Sequence, residues 1–97
     1  MTSQLHLGDI QKRINSDFGD RNAEANLILG DAIGRTDYLN NARIIRCILF
    51  LAKGDIEFLK KYVDNAIYDP RDVMLWAEYT NLESDKPKRV RNFIEPF

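Results

Sequence analysis

The chain has 97 residues with a formal net charge of −1, and 44% of its residues are hydrophobic while 30% are charged. A chain of this length makes one domain with one core, and its composition is that of a globular protein rather than a disordered one. The nearly balanced charge argues against a protein that simply coats nucleic acid or an anionic membrane surface.

The cellular compartment is predicted from the cysteine count and from the apolar runs. Cys47 is the only cysteine, so neither an intramolecular disulfide nor a cysteine-based zinc site can form. The first seven residues have neither the basic nor the apolar region of a secretory signal. The longest apolar run, residues 47–52, is far shorter than the roughly 20 residues of a membrane-spanning helix. We therefore expect a cytoplasmic protein that does not enter a membrane.

Helical periodicity begins near the N-terminus. A first helix is predicted from apolar residues spaced three and four apart, ending at Gly19, which can adopt a left-handed conformation. A second helix is expected to begin with Asn22 as its cap and to end at Gly34, with close packing or a kink at Gly30. Its core stripe consists of Ala25, Ile28, Leu29, Ala32 and Ile33.

The third helix, predicted over residues 38–53, is the candidate for the centre of the fold. Its apolar positions cover more than half of the circumference, and only a strip with Arg43, Arg46 and Lys53 is polar. A helix that is apolar over so wide an arc is normally surrounded by other helices.

Two further helices are predicted from their capping residues. Gly54 and Asp55 form a tight connection to a fourth helix over residues 55–68, and Asp69 followed by Pro70 is a strong start signal for a fifth helix. On the fifth helix the residues expected to face the core are Val73, Trp76, Ala77 and Thr80.

The chain changes character in its last part. Residues 84–97 contain four basic and two acidic residues, a net charge of +2, together with Phe93 and Phe97. Two phenylalanines left in water would forgo roughly 1.5–3 kcal/mol each relative to burial, so this tail is expected to dock on the helices. The predicted fold class is all-α, a compact bundle of about five short helices over residues 1–83, with the basic and aromatic tail of residues 84–97 packed back on it in the same domain.

The sequence contains no recognisable catalytic, metal-binding or cofactor-binding constellation. His6 is the only histidine, and Cys47 lies among isoleucines and leucines, where a thiol behaves as a small apolar group. The glycines do not have a phosphate-binding spacing. We expect no catalytic residue, no metal and no cofactor, and therefore a protein that is not an enzyme, although an enzyme of unknown class stays open as a third alternative.

Surplus aromatic surface is the most informative feature for function. Phe58 and Tyr62 lie off the core stripe of the fourth helix, and Phe50, Tyr79 and Arg46 are further candidates for a partner-binding patch. Exposed aromatic and arginine side chains are typical of protein interfaces. Whether the tail covers some of these residues is left open by the sequence. The predicted function is protein–protein interaction, by an adaptor or regulatory domain that binds another protein or a second copy of itself.

Nucleic-acid binding is the second functional hypothesis. The third and fourth helices are joined by a short turn, as in a helix-turn-helix unit, and the basic stretch Lys86, Lys88, Arg89 and Arg91 could contact phosphates. The fourth helix, however, opens with Asp55 and Glu57, which have the wrong charge for a helix that approaches phosphates.

Overall fold

The computed structural model of the protein describes residues 3–80, 82 and 86–97. Within these residues the architecture is an all-α bundle with a pair of short antiparallel strands near the C-terminus, which confirms the predicted fold class. The elements are α1 Gly8–Phe18, α2 Asn22–Arg35, α3 Ala42–Ala52, α4 Ile56–Tyr68, α5 Pro70–Glu78, β1 Tyr79–Thr80 and β2 Lys88–Arg89. Single turns of 3₁₀ helix cover Gln4–His6, Gly19–Arg21 and Asp37–Leu39. No helix in the described part of the chain has the length and apolar character needed to cross a bilayer.

Helix α3 occupies the centre of the bundle, as its wide apolar arc predicted. It packs against α1, α4 and α5, and residues 44–49 are all buried. The core around it contains Ile10, Ile14, Leu29, Leu59 and Val73, each with almost no exposed surface. The position of α3 therefore buries Arg46 of its polar strip, whereas Arg43 keeps 32% of its side chain exposed and Lys53 lies at the surface.

Side-chain caps define the starts of the last three helices. Asn41, Asp55 and Asp69 each accept a hydrogen bond from a backbone N–H in the first turn of the helix that follows. Pro70 occupies the first turn of α5, where its missing N–H costs no hydrogen bond. The predicted starts of α4 and α5 are thereby confirmed.

The connection between α3 and α4 is tight and needs glycine. The left-handed conformation begins at Lys53, with φ +51°, and continues at Gly54, with φ +76°. A Cβ atom at residue 54 would lie 2.5 Å from the carbonyl oxygen of Asp17, at the end of α1. No residue with a side chain fits there without a shift of the backbone, so this turn also fixes the approach of α1 to the α3–α4 connection.

Three predicted features of α2 and α3 differ from the structure. Asn22 is the first residue of α2 rather than its cap, and α2 continues one residue beyond Gly34. Helix α3 begins at Ala42 and not at residue 38, because Asn41 adopts an extended conformation and its side chain caps the helix.

Helix α5 buries Val73 and Ala77 as predicted, but the other two residues of the predicted inward face are exposed. Trp76 is 40% exposed, and Thr80 is exposed in β1. Glu78, which the sequence pattern did not place in the core, is fully buried. The helix ends at Glu78, so Thr80 no longer follows helical periodicity, while the carboxylate of Glu78 points into an interior that contains charged partners.

The C-terminal segment, residues 88–97, packs back on the helices as predicted. It begins with β2, whose residues pair with β1 as Tyr79 with Arg89 and Thr80 with Lys88. Its main anchor is Phe93, which is 9% exposed. The pairing of this segment with β1 was not predicted.

Candidate functional site

Three aromatic side chains form a continuous exposed cluster on α4 and α5. The ring centroids of Phe58 and Tyr62 lie 6.5 Å apart, and those of Tyr62 and Trp76 lie 6.2 Å apart. Phe58 is 49% exposed and Trp76 is 40% exposed, whereas Tyr62 is half-buried and packs against the core. We call these three residues the aromatic face.

Charged residues of both signs border the aromatic face. The ammonium group of Lys61 lies 5.4 Å from the ring centroid of Tyr62, a cation–π geometry. Lys60 and Glu57 form an exposed ion pair with a distance of 3.6 Å between nitrogen and oxygen. The face thus has an aromatic centre and a polar rim, which is the usual arrangement at a protein interface.

Phe50 lies elsewhere, beneath the C-terminal segment. Its ring centroid is 5.3 Å from that of Phe93, and the guanidinium carbon of Arg91 lies 4.5 Å from the Phe50 ring centroid. Phe50 is therefore sandwiched by the chain's own segment and is not part of the aromatic face.

Arg46 is buried, with 5% of its surface exposed. Its Nε and Nη2 donate to the carboxylate of Asp9 at 2.8 and 3.1 Å, and its Nη1 donates to the carbonyl oxygens of Phe93 and Ile94, both at 3.1 Å. This corrects the predicted surface position of Arg46. The reason is that α1 and the C-terminal segment cover this part of α3, so the guanidinium group meets protein groups instead of solvent.

Tyr79, the last of the predicted patch residues, is half-buried in β1 and pairs with Arg89. The five candidates thus do not form one patch. Phe58 and Tyr62 belong to the aromatic face together with Trp76, and the other three lie beside or beneath the C-terminal segment.

The carboxylate of Glu78 accepts several hydrogen bonds in the region beside and beneath the C-terminal segment. Arg43 donates to it through Nε, at 3.1 Å, and through Nη2, and the backbone N–H of Phe93 donates to its Oε2 at 2.9 Å. Burial raises the pKa of Glu78, but the hydrogen bonds from Arg43 and from the Phe93 N–H outweigh it, so the pKa lies below its ordinary value. Glu78 is therefore ionised at neutral pH despite its burial.

Asp9 makes the matching interaction with Arg46. The hydrogen bond from Arg46 lowers the pKa of Asp9 against the opposing effect of burial. The backbone N–H of Phe97 also donates to its Oδ2, at 3.2 Å. We call Asp9, Arg43, Arg46, Phe50 and Glu78 the tail-binding surface, since each of them contacts residues 88–97 or holds a residue that does.

Reactive groups are few in the described residues. Burial raises the pKa of the Cys47 thiol to about 12, so the thiol stays protonated at neutral pH and is a poor nucleophile. Among the residues that the structure describes, no three histidine, cysteine, aspartate or glutamate side chains are grouped as metal ligands would be. A cleft of about 460 Å³ lies at the start of α3 and is lined by Arg43 and Arg46. Both guanidinium groups are already bonded to carboxylates of the domain.

The sequence pattern did not indicate that Trp76 lies at the surface or that Glu78 is buried. A signal for the second was present, because two arginines three residues apart on an otherwise apolar central helix need carboxylate partners. Which carboxylates would supply them was not readable, since any of the chain's acidic residues was a candidate. The chain matches no protein-family model, and neither a curated protein nor a solved structure is significantly similar to it.

Proposed function

We propose that this chain is a small, non-enzymatic adaptor or regulatory domain that binds a protein partner through the aromatic face. The observation that carries the proposal is that Phe58 and Trp76 stay about half exposed although both touch a third ring, that of Tyr62. Aromatic residues clustered at the surface are typical of the energetic centre of an interface.

A partner that binds here would cover the exposed apolar area of the aromatic face. Full burial of one large apolar side chain is worth roughly 1.5–3 kcal/mol, so covering the exposed halves of Phe58 and Trp76 contributes roughly 2 kcal/mol before other contacts form. The surrounding charges add orientation more than affinity, because exposed ion pairs are weak.

The partner is another protein or a second copy of this chain. The rim carries Glu57 beside Lys60 and Lys61, and such a mixed rim can complement itself across a two-fold axis. A second copy is therefore the first partner to test.

The test compares the wild-type chain with a Phe58→Ser/Trp76→Ser variant. These two positions are preferred over Tyr62, since Tyr62 also packs against the core and its replacement would lower stability. Association is measured by light scattering after size-exclusion chromatography between about 1 and about 100 μM, and by capture from a nuclease-treated host lysate. We expect a dimer or a stoichiometric partner with wild type, and its loss in the double variant with helicity unchanged.

Leu27→Ser is the matched control. Leu27 is 72% exposed on α2, so its replacement removes exposed apolar surface on a helix that does not carry the aromatic face and should leave association intact. A double variant that associates like wild type would overturn the proposal, and so would a wild-type chain with neither a dimer nor a nuclease-resistant partner.

Nucleic-acid binding stays a prediction from the sequence. Arg89 donates to Glu78, Asn92 and the Arg91 carbonyl oxygen, and Arg91 stacks on Phe50, so both guanidinium groups already have partners within the molecule. Proteins captured only from lysate without nuclease would favour this alternative. The cytoplasm remains the location expected from the sequence.

A further inference from the structure

The C-terminal segment contacts the helices in the manner of a bound peptide. Of residues 88–97, all of which the structure describes, Phe93 alone is buried. The other nine side chains are exposed, although three of them also make contacts. Arg89 contacts Glu78, Arg91 stacks on Phe50, and the Phe97 ring packs edge-on against Phe93 with a centroid distance of 5.8 Å. A single aromatic anchor combined with backbone hydrogen bonds and strand pairing is a recurring mode of peptide recognition.

The tail-binding surface contacts the backbone N–H, the backbone carbonyl oxygen and the ring of Phe93. Glu78 accepts the backbone N–H of Phe93 at 2.9 Å, Arg46 donates to its carbonyl oxygen at 3.1 Å, and Phe50 packs against its ring at 5.3 Å between centroids. An acceptor, a donor and an aromatic wall thus converge on one residue of an extended chain.

The charged groups of this surface are paired without the segment. Arg43 is the partner of Glu78, and Asp9 is the partner of Arg46. All four belong to the helices, so removing residues 88–97 leaves both ion pairs in place. If a buried charge had its only partner on the segment, displacing the segment would leave that charge unpaired at a high cost in free energy. Because both ion pairs lie within the helices, displacement of the segment does not incur this cost.

Charge complementarity indicates what kind of chain fits. The carboxylate of Glu78 faces a segment in which Arg89 and Arg91 precede the anchoring ring. Arg89 Nη2 lies 3.4 Å from Glu78 Oε1, and Arg91 Nη1 donates to the Ala77 carbonyl oxygen at 3.4 Å.

We propose that the tail-binding surface is a peptide-binding site closed in cis by the chain's own C-terminal segment, and that it accepts from a partner protein an extended segment in which arginines precede one anchoring aromatic residue. The segment is then an internal competitor, and a partner binds only to the fraction of molecules in which it has been displaced. This site is separate from the aromatic face, so either proposal can fail without the other.

The experiment uses the full chain and a fluorescein-labelled synthetic peptide of residues 88–97, with binding read by fluorescence anisotropy. A Phe93→Ala chain has a weakened internal competitor and should bind the peptide saturably. The wild-type chain should bind it at least about tenfold more weakly, because its own segment occupies the site. Ile94→Ala is the matched control chain, since the Ile94 side chain is 58% exposed, and it should behave as wild type.

The peptide that carries alanine in place of Phe93 should not bind any of these chains. The proposal is overturned if a folded Phe93→Ala chain does not bind the wild-type peptide, or binds both peptides equally well. The proposal is also overturned if the wild-type chain forms dimers that excess peptide dissociates. That result would show that the site binds the C-terminal segment of a second copy of the chain.

A second variant covers the case in which Phe93→Ala does not fold. A protease site placed between Thr80 and Lys88 allows the folded chain to be cut while both pieces remain present. The cut chain should exchange its segment for the labelled peptide, whereas the uncut chain should not. Failure of the cut, folded chain to take up the peptide would overturn the proposal.

Discussion

Glu78 is the residue through which α3, α5 and the C-terminal segment are held together. We predict that Glu78→Ala lowers the free energy of unfolding by about 3 kcal/mol, since removing one member of a buried ion pair leaves the other charge without compensation. Arg43 would lose its carboxylate, and the buried N–H of Phe93 would lose its acceptor. Urea unfolding monitored by circular dichroism measures the change.

A second variant separates the charge of Glu78 from its hydrogen bonds, and a third, at Glu57, is the control. Glu78→Gln keeps an oxygen that can accept from the Phe93 N–H, so we expect a smaller loss than with alanine. Glu57→Ala removes an exposed carboxylate in a weak surface pair and should change stability very little. A Glu78→Ala chain as stable as wild type would contradict the role assigned to this carboxylate.

Single residues were predictable where their neighbours in sequence decide their environment. The burial of Cys47 followed from the isoleucines and leucines around it. The place of Phe58 off the apolar stripe of α4 was also readable, whereas the sequence left open whether the tail covers it. Arg46 was misplaced because the helical period gives the direction of a side chain on its own helix, but not which element covers that direction.

At the level of the elements, the turn between α3 and α4 gives the sharpest prediction. Gly54→Ala should destabilise the protein by about 2–4 kcal/mol, since alanine in a left-handed conformation is strained and its Cβ would clash with the Asp17 carbonyl oxygen. The thermal midpoint of unfolding, measured by circular dichroism, should fall accordingly.

Gly30→Ala is the matched substitution in a helix. Its Cβ would have Leu5 Cδ2 as its nearest neighbour, at 3.9 Å, an ordinary contact. Alanine has a higher helix propensity than glycine by about 1 kcal/mol, so this variant should be stabilised. Equal effects of the two substitutions would contradict the strain assigned to residue 54.

The starts of α4 and α5 were predictable because the residues that determine them are close together in the sequence. An aspartate cap and a proline in the first turn act within a few residues of each other. The start of α3 was placed too early, since Asn40 and Asn41 lie in a stretch whose periodicity alone is compatible with a helix, and the cap at Asn41 ends that continuity. The short pairing of β1 with β2 has only two residues on each strand, too few for a readable alternation.

At the scale of the whole molecule, the bundle was predictable and the tail-binding surface was not. Apolar periodicity fixes which helix faces must be covered, and a chain of this size has room for one core. The ion pairs join residues 35 and 37 positions apart, Arg43 with Glu78 and Asp9 with Arg46. Nothing in the sequence between these residues selects one carboxylate over the other acidic residues, so the pairing emerges only from the packed helices.

Those two long-range pairs predict how the whole domain responds to acid. Asp9 and Glu78 both have a pKa below the ordinary value, so the unfolded chain takes up protons first as the pH falls through about 4 to 5. The stability that the two carboxylates provide is complete at neutral pH. It declines below that range by up to about 1.4 kcal/mol per pH unit for each group. Arg43 and Arg89 face Glu78, and Arg46 faces Asp9.

Thermal unfolding between about pH 7 and about pH 3 tests this response. We expect a nearly constant midpoint from pH 7 to about pH 5.5 and a steep fall below that range. The Glu78→Gln chain lacks one of the two titrating groups, so its midpoint should begin lower and fall less steeply. Parallel curves for the two chains would show that the ionisation of Glu78 does not stabilise the fold, and the acid sensitivity would then have to come from other carboxylates.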